Sequence, residues 1–241
     1  LDISITKNVL GLFINSAVLL VIMMSCVRWY KKHPLEDGAP KGGVGMIEAT
    51  VLSIYNDVIK GCIGENYRRY APYLLTAFFF VLVNNLMGLI PIFPGGANVT
   101  GNIAITLVLA LCTFVLTNVY GTKAYWKEIF WPDVPTWLKA PIPMMPLIEF
   151  FGIFTKPFAL MIRLFANIMA GHAAVLSLVA IIFITVKSGP VINGSMTVVS
   201  VAFSIFMNAL EILVAFIQAY VFTMLSAVFI GLSQVKEHAE K

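Results

Sequence analysis

From Tyr70 to Thr122 the chain runs for fifty-three residues without a charged side chain. A helix needs about 20 apolar residues to cross a hydrocarbon core roughly 30 Å thick, so this run is long enough for two crossings with a turn between them. The breakers that mark the turn are Pro91, Pro94, Gly95, Gly96, Gly101 and Asn102. They set one span at about residues 73–90 and another at about 103–120. A further span comes earlier, at about residues 8–30, because nothing between Lys7 and Arg28 is charged. Composition agrees: 12% of the side chains are charged and 59% are hydrophobic. That is about half the charge of a soluble domain, too little to cover a soluble surface, and the opposite of a disordered chain. The net charge of +4 is too small to imply nucleic acid as a partner. Cys26, Cys62 and Cys112 form no CxxC pair, which points away from a disulfide framework or a zinc site. No metal and no cofactor is expected. The sequence begins at Leu1 rather than Met, which implies a missing N-terminal piece, either a cleaved signal peptide or a trimmed tail.

The other segments read differently. Ile47, Val51, Ile54 and Val58 form an apolar stripe, with Glu48, Asp57, Lys60 and Glu65 off it. Residues 44–66 are therefore expected to form an amphipathic helix on the membrane face, with a soluble loop helix as the alternative. Residues 121–146 make an interfacial linker holding Trp126, Trp131, Trp137 and five prolines. Two apolar segments follow, 147–186 and 196–232. At 1.5 Å per residue they would be about 60 and 55 Å long, nearly twice the hydrocarbon thickness, so they must tilt, bend or break. Pro157 is a place to bend. The expected fold is an all-α membrane protein: a single membrane domain over residues 1–241, with five membrane helices and one surface helix. The last two helices are long, tilted and antiparallel.

Orientation follows from the basic residues. With the N-terminus outside and the C-terminus cytoplasmic, twelve of the sixteen Lys/Arg face the cytoplasm. Only Lys7 and Lys187 lie outside, and Lys156 and Arg163 lie within a membrane segment.

Those two, with His172 and Glu211, are the ionisable groups deepest in the apolar segments; Glu149 sits near the start of the first. An arginine at the bilayer centre costs about 2.5–3.5 kcal/mol on insertion scales, so it survives only against water or a partner. Glu149, Lys156 and Arg163 are seven residues apart and share a face, with Asn167 close to it. His172 looks the opposite way. Ser204, Asn208, Glu211 and Gln218 form one polar stripe on the last helix, which must line protein or water. Counting outward from a turn at Lys187–Gly194 places Arg163 level with Gln218 and His172 level with Glu211. An imidazole beside a carboxylate suits a proton relay. A helix-gluing ion pair is the structural alternative.

The run Lys156-Pro-Phe-Ala-Leu-Met-Ile-Arg163-Leu-Phe-Ala-Asn167-Ile-Met-Ala-Gly-His172 resembles the signature of subunit a of the F-type rotary ATP synthase. Glu211 to Thr223 resembles the last helix of that family, and Asn85-Leu-Met-Gly-Leu-Ile-Pro91 the end of an earlier hairpin helix. The resemblance implies a stator subunit beside a rotating ring of c subunits, with two offset proton half-channels that do not join. It implies that Arg163 faces the ring carboxylate and that Asn167, His172, Glu211 and Gln218 line the outer half-channel. Glu149 matches the carboxylate of the inner one, and Lys156 a basic position nearby, with Asn208 and Ser204 supporting. The order histidine then glutamate is exchanged in some bacterial members. The implied partners are the c-ring, peripheral-stalk b-type subunits, the rest of the complex and the lipid bilayer. The implied location is a bacterial inner membrane, with the mitochondrial inner membrane as alternative. The subunit itself is not expected to be an enzyme. The competing reading is an ion-coupled secondary transporter, which calls for inverted repeats that this sequence does not display.

Overall fold

The computed structural model describes residues 7–33, 40, 42–90, 99–130 and 144–234. Among these residues there is no strand, and the architecture is that of an all-α membrane protein. Pro91, Pro94, Gly95 and Gly96 of the expected turn lie outside the described residues, as do Trp131, Trp137 and the linker prolines 132, 135, 141 and 143. Helices are what lipid demands, because a helix satisfies its own backbone polar groups where no water can.

Helix α1 covers Lys7–Lys32 and ends on Lys31 and Lys32, cations that suit the negative end of the helix dipole. Helix α2, Gly43–Ser53, continues into a π-helical stretch, Ile54–Lys60, and two short turns, Gly61–Ile63 and Gly64–Asn66. Helix α3 then runs over Tyr67–Leu89. The apolar stripe of the surface segment is turned onto protein: Ile54 and Val58 are buried, and Ile47 and Val51 pack beside them. The π-helical stretch widens the turn there, so Ile59 and Ile63 are buried too. Gly64, at φ 73° and ψ −135°, separates this surface segment from α3, although Gly43–Leu89 as a whole is apolar and helical.

Helix α4, Ile103–Val119, opens on Asn102, whose side chain accepts from the Ala104 amide at 3.0 Å. Its seventeen residues reach about 25 Å, short of a full hydrocarbon core. Its buried stripe is small and polar, Thr106, Ala110, Thr113 and Thr117, which lets neighbours approach closely. Helix α5, Lys123–Phe130, is short and docks through Tyr125 and Ile129 against Ile153.

Helices α6, Met144–Thr185, and α7, Pro190–Ser233, are 42 and 44 residues long, about 63 and 66 Å at the usual rise. Pro157 sits inside α6 without ending it, so two continuous helices form rather than four short spans. Gly189 makes the turn between them at φ 102°, a region other residues rarely adopt, and Pro190 starts α7 with its φ already helical.

The apolar core lies where α3, α7 and the surface segment meet, around Leu74, Phe78, Val81, Phe222 and Ile230, with Leu160 and Leu164 of α6. Polar contacts clasp the same end. The Thr122 amide donates to the Ser233 carbonyl at 2.9 Å, and Gln234 Nε2 donates to the Tyr120 carbonyl at 2.6 Å. Arg69 lies over the Tyr120 ring at 4.5 Å. This basic end of the bundle, with Arg28, Lys31, Arg68 and Lys123, is opposite the Gly189 turn.

Candidate functional site

Because α6 and α7 run antiparallel from one tight turn, residues at similar depths along the two helices meet. His172 Nδ1 lies 3.6 Å from Glu211 Oε1, with the two side chains 35% and 12% exposed. That is an ion-pair distance but long for a hydrogen bond, and Glu211 Oε1 has no hydrogen-bond partner. Gly171 makes room for the carboxylate: a Cβ at 171 would overlap Glu211 Oε1. Five residues down α6, Asn167 Nδ2 donates to Oε1 of the buried Gln218 at 3.3 Å.

These four side chains line one cavity of about 270 Å³, enough for a chain of several waters. Its third wall is α3, through Asn85, Gly88 and Leu89. Asn85 Nδ2 donates to the Ala215 carbonyl at 3.3 Å, while its Oδ1 is buried without a partner. Asn85 Oδ1 and Glu211 Oε1 are thus two buried acceptors without a donor at the wall of a roomy, mostly apolar cavity. Asn85 was absent from the residues that sequence alone marked as a site; an amide inside a span was the available signal.

Arg163 stands apart. It is exposed on the free face of α6, does not line the cavity, and among the described residues no hydrogen bond or ion pair engages it. Counting set Gln218 level with it; Gln218 bonds instead to Asn167, one turn further along. The polar stripe of α7 divides as well. Glu211 and Gln218 enter the cavity, whereas Asn208 is exposed and donates to the Ser204 carbonyl of its own helix at 2.8 Å.

Glu149 and Lys156 sit toward the basic end. Lys156 Nζ lies 5.9 Å from the Phe229 ring and borders a crevice of only about 10 Å³ with Thr117, Asn118 and Tyr125. Hydroxyls close its far side: Tyr73 Oη and Thr113 Oγ1 are 2.8 Å apart, and Thr113 Oγ1 and Ser226 Oγ 3.3 Å. Glu149 is half-buried, and its charge acts on the Tyr125 phenol of α5. Burial pushes that phenol's pKa up, and the nearby carboxylate adds to the rise.

In chemical terms the arrangement offers an imidazole–carboxylate pair at a roomy cavity, and on another face of α6 a cation without a partner among the described residues. An imidazole beside a carboxylate can take up a proton that arrives from outside and pass it on.

The sequence model of the family described as ATP synthase A chain matches residues 10–231. A protein named ATP synthase subunit a from Chlorobium phaeobacteroides is 49% identical over 99% of this chain and 68% of its own length. The one from Chloroherpeton thalassium is 45% identical over 98% of this chain and 68% of its own. That of Myxococcus xanthus is 39% identical over 99% and 75%.

Proposed function

The chain belongs to the ATP synthase A chain family, and on that premise we propose that it is the stationary membrane subunit through which protons reach and leave a rotating ring. The observation that carries this reading is Arg163, exposed and without a partner among the described residues, on the helix whose other face brings His172 to a cavity shared with Glu211. A bare arginine at membrane depth is too costly to face hydrocarbon, so its open face fits an acidic surface on another chain. A ring carboxylate meeting Arg163 would be held ionised, because an adjacent cation favours the charged form of an acid. The same cation repels protons and keeps the two routes from joining.

In this mechanism the turn-side cavity is the outer half-channel. Protons enter it as hydrated species, pass between Glu211 and His172, and are handed past the Asn167–Gln218 amides toward the ring. Each ring carboxylate that picks one up becomes neutral and can move into lipid. After nearly a full turn it releases the proton on the basic side, where Glu149 accepts it and Lys156 biases the local potential toward anions. A charge crossing the membrane gains about 2.3 kcal/mol per 100 mV. Because the routes are offset, that energy is available only through rotation. The ATP chemistry belongs to the soluble sector, and this chain supplies geometry and electrostatics. The basic end is the cytoplasmic one in this proposal, the membrane is a bacterial inner membrane, and b-type stalk subunits hold the chain still.

Replacing Arg163 by Ala tests the reading. Proton-driven ATP synthesis in vesicles carrying the assembled complex is expected to vanish. Synthesis at the unaltered rate would refute the assignment.

A further inference from the structure

Two adjacent asparagines on α3 point to different neighbours, since one residue turns a helix by about 100°. Asn85 faces α7 and the cavity. Asn84 faces α1, where its Oδ1 accepts from Asn15 Nδ2 at 2.9 Å, and its own amide donates to the Phe80 carbonyl at 2.8 Å. Asn15 and Asn84 are only 2% and 1% exposed. The rest of the seam on α1 is apolar, Leu19 and Met23 at four-residue steps from Asn15, while Phe13, Leu20, Val21 and Met24 face outward. Apolar contacts alone set no register in a bilayer, because lipid tails are equally apolar. A side-chain amide in hydrocarbon does, because leaving it unpaired is costly. The Asn15–Asn84 bond is therefore the one directional link between α1 and α3 among the described residues.

We propose that Asn15 is a positioning residue for the turn-side cavity: through Asn84 it fixes the rotation of α3 and so holds Asn85 in the wall of the cavity that His172 and Glu211 also line. The mechanical link is short, because Asn84 and Asn85 share a peptide bond. Asn85 also sits 5% exposed with one bond to the Ala215 carbonyl. A small rotation of α3 would break that bond and shift the Asn85 side chain in the cavity wall. Among the described residues lining it, the titratable groups are His172 from α6 and Glu211 from α7; α3 brings only the amide. First-helix residues thus reach the proton path without touching it.

This inference rests on the proposed function for its consequence, and the test separates the two. Asn15→Leu, Asn84→Leu and the double variant are made in the complete complex in native membranes, which are then stripped of the soluble sector for the flux readings. Two quantities are read per assembled complex: subunit content, and passive proton flux through the membrane sector against outer pH. Each single variant is expected to lower flux per complex roughly fivefold, as the loss of about 1 kcal/mol would, and to move the pH of half-maximal flux. The double variant, which leaves no orphaned amide, is expected to assemble better than either single variant while keeping the moved midpoint. Normal flux per complex with an unmoved midpoint in the variants that assemble would overturn the proposal. Failure of all three to assemble would assign the pair to assembly alone and overturn it too. If the unaltered complex conducts no protons, the proposed function itself falls.

Discussion

The long hairpin of α6 and α7 borders two polar regions of very different character. Toward the Gly189 turn lies a cavity of about 270 Å³ with two unsatisfied acceptors, Asn85 Oδ1 and Glu211 Oε1. Toward the basic end lies a crevice of about 10 Å³, at the lower limit for a single water. There Tyr73, Thr113 and Ser226 spend their hydroxyls on one another. The difference teaches that the helices of this chain leave a roomy, partly open cavity on the turn side and pack closely on the basic side. Under the proposed function, a route on the basic side must then be completed by a surface this chain does not provide. Glu149, half-buried near the start of α6, is placed to border such a surface.

The contrast can be broken at several points. After the complete loss expected of Arg163→Ala, the largest effect within this contrast is expected from Gly171→Val. The new Cβ overlaps the Glu211 carboxylate, and overpacking of about 1–3 kcal/mol should cost roughly tenfold or more in proton flux per complex. Flux measured in membranes stripped of the soluble sector checks this, and an unchanged rate would mean that the carboxylate position does not matter.

Next comes the charge pair. Exchanging the residues, His172→Glu with Glu211→His, should retain more ATP synthesis than His172→Ala or Glu211→Ala, because either order keeps an acid and an imidazole at the two facing positions, which now hold a pair 3.6 Å apart. Equal loss in all three would argue against a relay.

Smaller again is Glu149→Gln, expected to slow passive proton exit without changing how much subunit assembles. Equal passive conduction in the variant and the parent would count against a role on the basic side.

The smallest effect is expected from Thr113→Val. Membrane hydrogen bonds average about 0.6 kcal/mol, so the variant should unfold a little more easily and conduct protons normally. A drop in flux like that of Gly171→Val would erase the distinction between the two regions.

What the sequence made legible followed from rules that need only counting. The depth match of His172 with Glu211 came from an antiparallel hairpin with a short turn, where register is fixed by distance from that turn. The apolar stripe Ile47, Val51, Ile54 and Val58 was visible at helical spacing, and its inner members are buried. The facial angle was not available by counting. Gln218 therefore went to Asn167 rather than to Arg163, and Asn208 turned outward from the stripe it shares with Glu211. Contacts between distant segments were the least visible. Asn15 and Asn84 are 69 residues apart, and no spacing rule joins them. Asn85 was quoted in a family motif, yet its place in the cavity wall depends on how α3 leans on α7. The π-helical stretch over Ile54–Lys60 has no periodic signature, and it is what brings Ile59 and Ile63 to the core.

The most direct measurement is an experimental structure of the assembled complex in lipid, read at the free face of α6. The expected result is a carboxylate of a ring helix within hydrogen-bond distance of the Arg163 guanidinium, with ordered waters between Asn85, His172 and Glu211. Acyl chains packed against Arg163 and filling that cavity would contradict it.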